Sequence, residues 1–251
     1  GTNITIGTGA NGITIGNAVA AQGAGAVDMN PATGFTLSDG IVLSTGSGVI
    51  TIDTVGANDL VVNGNITTGG AGTITLTSGR SIVMDASSLV QSSGGAVLLD
   101  ADGVAAGSLT LDVVEAGAGG AVTLRAGTGG SITRAAGTSR IGAAGSTSVL
   151  DVNDVVAGSS IGAVATPLLT NVGILRVQAA GNVYISEATA LALGDGTRNV
   201  TTSAGVVSIM AGGAVTTGNT VTTTGTGTAI TVQGTGITLS QNIVAANNGL
   251  V

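Results

Sequence analysis

Short runs in which an apolar residue alternates with a polar or outward-facing one recur through the whole chain. Ile4-Thr5-Ile6, Ile13-Thr14-Ile15, Phe35-Thr36-Leu37, Ile41-Val42-Leu43 and Ile50-Thr51-Ile52 are followed by Ile74-Thr75-Leu76, Val97-Leu98-Leu99 and Val122-Thr123-Leu124. Period-two alternation marks a strand with one buried face. The runs are separated by glycine- and polar-rich segments such as GTGANG and STGSG, which turn a chain sharply. Gly-Gly pairs at Gly69-Gly70, Gly94-Gly95 and Gly119-Gly120 stand 25 residues apart. A fixed interval in the twenties with one-sided strands is the signature of a solenoid.

Matching inward residues give the coil length. Ile50, Ile74, Val97 and Val122, the pair Leu109 and Ile132, the set Val183, Val207 and Ile230, and the pair Val215 and Ile237 all step by 22 to 25 residues. No six-residue phasing runs through the chain, so the expected fold is all-β, a right-handed parallel β-helix of about 10–11 coils spanning 1–251. With strands stacked roughly 4.7–4.9 Å apart, such a rod would be on the order of 50 Å long. The expected core stack is Ile50, Ile74, Leu76, Val97, Leu99, Val122, Leu124, Val183, Ile185, Val207, Ile209, Ile230 and Val232. The same register places Thr77, Asp100 and Arg125 on one outer ladder, with Asp100 and Arg125 paired and Leu98 an outward exception.

Three stretches are less regular. Residues 18–31 are expected to form a loop or irregular coil, and 135–160 blur the phase, although Leu150 and Val152 should face inward with Asp151 outward. In 159–196, Leu175, Val177, Val183, Ile185, Leu191 and Leu193 are expected inward, Arg176 and Tyr184 outward, and Pro167, which cannot donate to a ladder, at a corner.

Composition supports stacked coils. The chain has 45 Gly, 2 Pro, one Phe and one Tyr, and 8% charged residues. An ordinary core leans on aromatics that bury roughly 150–250 Å² each, whereas here many small layers must do that work. Disorder is opposed by a 43% hydrophobic content. No apolar run approaches the roughly 20 residues of a membrane-spanning helix, so membrane insertion is not expected. The chain begins in mid-pattern and reads as an excerpt of a longer repetitive protein. Cysteine and histidine are absent, and a net charge of −7, with six arginines against 13 acids, disfavours nucleic acid.

The phrases GGAVTLRAG and AGVVSIMAGGAV, together with the segment from Ile161 to Gly194 (IG…TPL…TNVG…GNVYI…L.LG), resemble the β-solenoid repeats of filamentous-haemagglutinin-like exoproteins and giant bacterial surface adhesins. That resemblance implies a right-handed β-helix, export to the bacterial cell surface, and a role in adhesion, matrix or filament formation. The family's amino-terminal secretion domain is not evident in these residues.

No catalytic, cofactor or metal site is expected. The carboxylate pairs Asp100 with Asp102, Asp112 with Glu115, and Asp151 with Asp154 would need a cleft with sugar-stacking aromatics to act as glycosidases, and are expected to be solvated turn residues. Gly194-Asp195-Gly196 and Asp151–Asp154 are too short to build a calcium cage of six to eight oxygens. Outward threonines (Thr5, Thr14, Thr36, Thr51, Thr75, Thr110, Thr123, Thr231, Thr238) raise an ice-binding alternative, but Thr is also simply a good residue for an exposed pleat. The expected function is a non-catalytic extracellular rod. It would associate end to end or continue in a longer chain, with a glycan or cell-surface receptor as the other partner class.

Overall fold

In the computed structural model, residues 1–103, 106–117, 119–143, 149–154, 159–246 and 250–251 are described. The chain is a parallel β-solenoid of about ten turns at roughly 24 residues per turn. Every pairing between named strands is parallel and joins successive turns, as in Ile50–Thr54 with Ile74–Ser78, and Ile74–Ser78 with Val97–Ala101.

The inward parity of these strands builds continuous columns. One runs Ile6, Met29, Ile52, Leu76, Leu99, Leu124, Val152, Val177, Val200, Val221, Ile243, each residue in register with the next. A second runs Ile13, Phe35, Leu60, Ile82, Leu109, Ile132, Ile161, Val183, Val207, Ile230. Almost all are buried; exposure rises only toward the two ends. Because each coil can shield its apolar side chains only against its neighbours, stability belongs to the array. The expected core stack lies in these columns and their immediate neighbours. The exception is Val232, which is half-buried against the core.

Glycine-rich corners let the turns approach. Gly25, Gly48, Gly72, Gly95 and Gly120 stack so closely that a Cβ on any of the last four would collide with the carbonyl oxygen of the glycine one turn below. Inward hydroxyls complete these corners: Thr45 Oγ1 donates to the Gly48 carbonyl (2.8 Å), Thr68 Oγ1 to that of Gly72 (2.9 Å), and Ser92 Oγ accepts from Gly95 N (2.7 Å). Buried polar groups need such partners. On another corner, side-chain oxygens accept the amide of the next turn, with Asp59 taking Ser81 N, Ser81 taking Ser108 N and Ser108 taking Ser131 N, each at 3.1 Å.

Residues 18–31 are more regular than expected. They contain the strands Val19–Ala21 and Val27–Asn30, which pair with Val42–Thr45 and Ile50–Thr54. The small alanines of Val19-Ala20-Ala21 weaken the alternation there, whereas Val27-Asp28-Met29-Asn30 alternates fully, and Ala21, Val27 and Met29 have inward parity. Pro167 lies immediately before the strand Leu168–Thr170, at a corner.

The cross-section changes along the rod. In the early turns one face carries a single longer strand and the rest of the coil carries two short ones. The short strands Ser160–Ile161 and Leu168–Thr170 then both pair onto the single strand Val183–Glu187. On the opposite side, the single strand Ile174–Ala179 pairs onto two short ones, Leu191–Leu193 and Val200–Thr202. The two patterns exchange faces within this one turn, inside the segment that is most distinctive in the sequence.

Candidate functional site

The chemistry-bearing side chains are concentrated on outer ladders between successive turns. Thr77, Asp100 and Arg125 are register partners, and Arg125 Nη1 donates to Asp100 Oδ2 at 3.1 Å. Leu98 stands half-buried between Thr75 and Thr123. Both charged side chains are partly solvated, so a double-mutant cycle over Asp100→Ala and Arg125→Ala should return a coupling of at most about 1 kcal/mol in urea unfolding. A coupling of several kcal/mol would show that the pair organises more than its own two turns.

Similar ties occur elsewhere. Arg80 grips Asp59 through Nε (2.6 Å) and Nη2, holding the Asp59 carboxyl below the usual carboxylate range and raising the guanidinium. Glu115 accepts from Gln91 Nε2 (2.6 Å) one turn below and from Arg140 one turn above. Arg134 instead donates to the Gly137 carbonyl. Four of the six arginines join a carboxylate on a neighbouring turn, and Arg198 joins one two turns away.

The densest cluster lies where the strand Ile174–Ala179 is overlaid by the corner 194–199. Arg176 pairs with Asp195 in that corner and stands 3.8 Å from Asp151, its partner on the turn below. Arg198 Nη1 reaches Asp151 Oδ1 at 2.8 Å across two turns. Asp195 also accepts from Thr197 and from the amide of Arg198 (3.3 Å). Beside this cluster lies a shallow groove of about 330 Å³ lined by residues including Asp151, Gln178, Arg198, Asn199 and Thr201.

The hydrogen bond from Arg176, followed by that from Thr197, holds the Asp195 carboxyl well below the usual aspartate value of about 3.9. A carboxyl whose folded value is depressed stabilises above its unfolded value, and that contribution disappears as pH falls through the folded one. The stability gap between the parent chain and Asp195→Asn should accordingly be largest near neutrality and close as pH falls below about 4. A gap that does not vary with pH in urea titrations would contradict this assignment.

The expectation that the paired acids are solvated turn residues is corrected for three of them. Asp112, Glu115 and Asp151 are 3%, 7% and 8% exposed. Hydrogen-bond partners offset their loss of water: Ser139 Oγ donates to Asp112 at 2.7 Å, and Arg or Gln side chains hold the other two. Asp100 instead accepts the amide of Asp102 (3.0 Å) in a local turn. The side chain of Asp154 lies outside the described residues. No group of three His, Cys, Asp or Glu side chains among the described residues is placed to hold a metal ion.

The threonines do not form one lattice. Thr5, Thr51, Thr75 and Thr123 share a column with Asp28, Leu98, Asp151 and Arg176. Thr14, Thr36 and Thr110 share theirs with Val61 and Val83.

One functional-looking side chain escaped sequence reasoning. Glu187 is 2% exposed, and its two carboxylate oxygens accept four hydrogen bonds. In Val183-Tyr184-Ile185-Ser186-Glu187 it has inward parity, which is the signal that marks it.

No family model, curated protein or solved structure matches the chain.

Proposed function

We infer that the chain is a non-catalytic structural rod from a secreted bacterial surface adhesin or extracellular filament protein. Its winding would be right-handed, the usual hand for parallel crossovers. The observation that carries this reading is the column from Ile6 to Ile243, unbroken through every turn. Such a stack makes a stiff spacer from a repeated coil, and the arginine–carboxylate ties are placed along its axis to resist separation of turns. The likeness of GGAVTLRAG, AGVVSIMAGGAV and the Ile161–Gly194 segment to adhesin solenoid repeats supports the extracellular part of the reading. In this role the rod holds a glycan- or receptor-contacting region away from the cell, or forms part of a fibre.

Intact producing cells labelled with an antibody against this segment provide the test. Surface labelling that is removed by added protease is expected. Antigen confined to the cytoplasm, reached only after lysis, would overturn the reading.

A further inference from the structure

A third inward column runs Val19, Leu43, Ile66, Val90, Val114 and Ile141, then changes character to Thr170, Glu187 and Ala211. The change falls at the turn where the single-strand and two-strand faces exchange. We propose that Glu187, assisted by Thr170, is a phase lock that fixes the residue at which this exchange takes place.

The geometry shows how. Glu187 Oε2 accepts from Val172 N (3.0 Å) and Thr170 Oγ1 (2.8 Å), while Oε1 accepts from Thr189 N and Thr189 Oγ1 (each 2.9 Å). Val172 lies in the corner that leads into the strand Ile174–Ala179, and Thr189 in the corner that leads into Leu191–Leu193. These two corners flank the exchange, and one carboxylate satisfies a backbone amide in each. A hydroxyl, which serves the ordinary corners, has too few acceptor sites for four donors. An apolar residue, which fills this column in the earlier turns, would leave both amides unpaired, and a buried amide without a partner is costly. No arginine among the described residues pairs with Glu187. A buried carboxylate held only by neutral donors is poor at adding stability and well suited to specifying one arrangement over its alternatives. With Thr170 and Glu187 apolar, the earlier pattern can continue for another turn and the exchange loses its fixed position.

The absence of cysteine makes a cross-linking test clean. Ile174 and Ala192 are register partners across the first pairing formed after the exchange, and Thr75 and Leu98 are partners far from it. I174C/A192C and T75C/L98C should both oxidise efficiently in the parent chain. Adding T170V and E187V should reduce the I174C/A192C cross-link at least tenfold and leave T75C/L98C unchanged. An equal I174C/A192C yield in both backgrounds would overturn the proposal, as would loss of both cross-links together, which would make Glu187 a global rather than a local determinant. Independently, E187Q keeps the side-chain volume but turns one acceptor oxygen into a donor. It should accelerate hydrogen exchange at the Val172 or Thr189 amide at least tenfold with Val97 unchanged, and unchanged protection at both would also overturn the proposal.

Discussion

Leu99→Asp should abolish cooperative folding of the rod. Leu99 is fully buried, between Leu76 and Leu124 in the longest column. A carboxylate there has no cation within the column, and a buried unpaired charge costs several kcal/mol. Total stabilities of folded chains are only about 5–15 kcal/mol, and in a stacked array the damage reaches both neighbouring interfaces. Leu99→Ala should lose about 2–5 kcal/mol from the transfer and cavity terms. Circular dichroism melts would show a lowered but cooperative transition for the alanine variant and none for the aspartate variant. An aspartate variant that melts within a few degrees of the parent would mean that Leu99 faces solvent.

The second large effect is expected at a residue with no side chain. A Cβ on Gly95 collides with the Gly72 carbonyl, which belongs to backbone of the turn below and cannot rotate away. Gly95→Ala should therefore destabilise by about 1–3 kcal/mol or more, the range for overpacking. Gly16 meets nothing within 4 Å of the added carbon, so Gly16→Ala should be neutral within about 0.5 kcal/mol or slightly stabilising. Urea midpoints distinguish the two substitutions; equal small effects would show that the corners do not stack as described.

This contrast explains part of what the sequence reveals. A stacked coil writes its length into the chain through inward residues and corner glycines, so Ile74, Val97 and Val122 predicted their own alignment and Asp100 predicted its partner Arg125. The Gly-Gly pairs were a coarser guide. The close-packed ladder runs through Gly72, Gly95 and Gly120, so the pair Gly69-Gly70 is offset from it. The face exchange is written in two short steps, 17 residues from Thr170 to Glu187 and 18 from Ile174 to Ala192, but the steps from Val183 to Val207 and Ile230, which come after it, return to the earlier range and mask it.

The charged clusters were illegible for a different reason. Arg198 meets Asp151 across two turns, a distance set by the corner 194–199 and not by the repeat. Asp112 interrupts two apolar strands and looks like a turn residue until Ser139 is brought onto it from the next turn. Glu187 was hidden by its chemistry: parity pointed inward, while a carboxylate ordinarily points out.

The solenoid requires turns that stack along one axis, and spin-label distances measure this most directly. Thr5, Thr75, Thr123 and Arg176 lie on one outward column, and from Thr5 the other three are three, five and seven turns away. Pairs of cysteine labels on Thr5 and each of the others should give separations rising linearly, about 14, 24 and 34 Å at roughly 4.8 Å per turn. Distances that level off or fall as the turn number increases would contradict the stacked column.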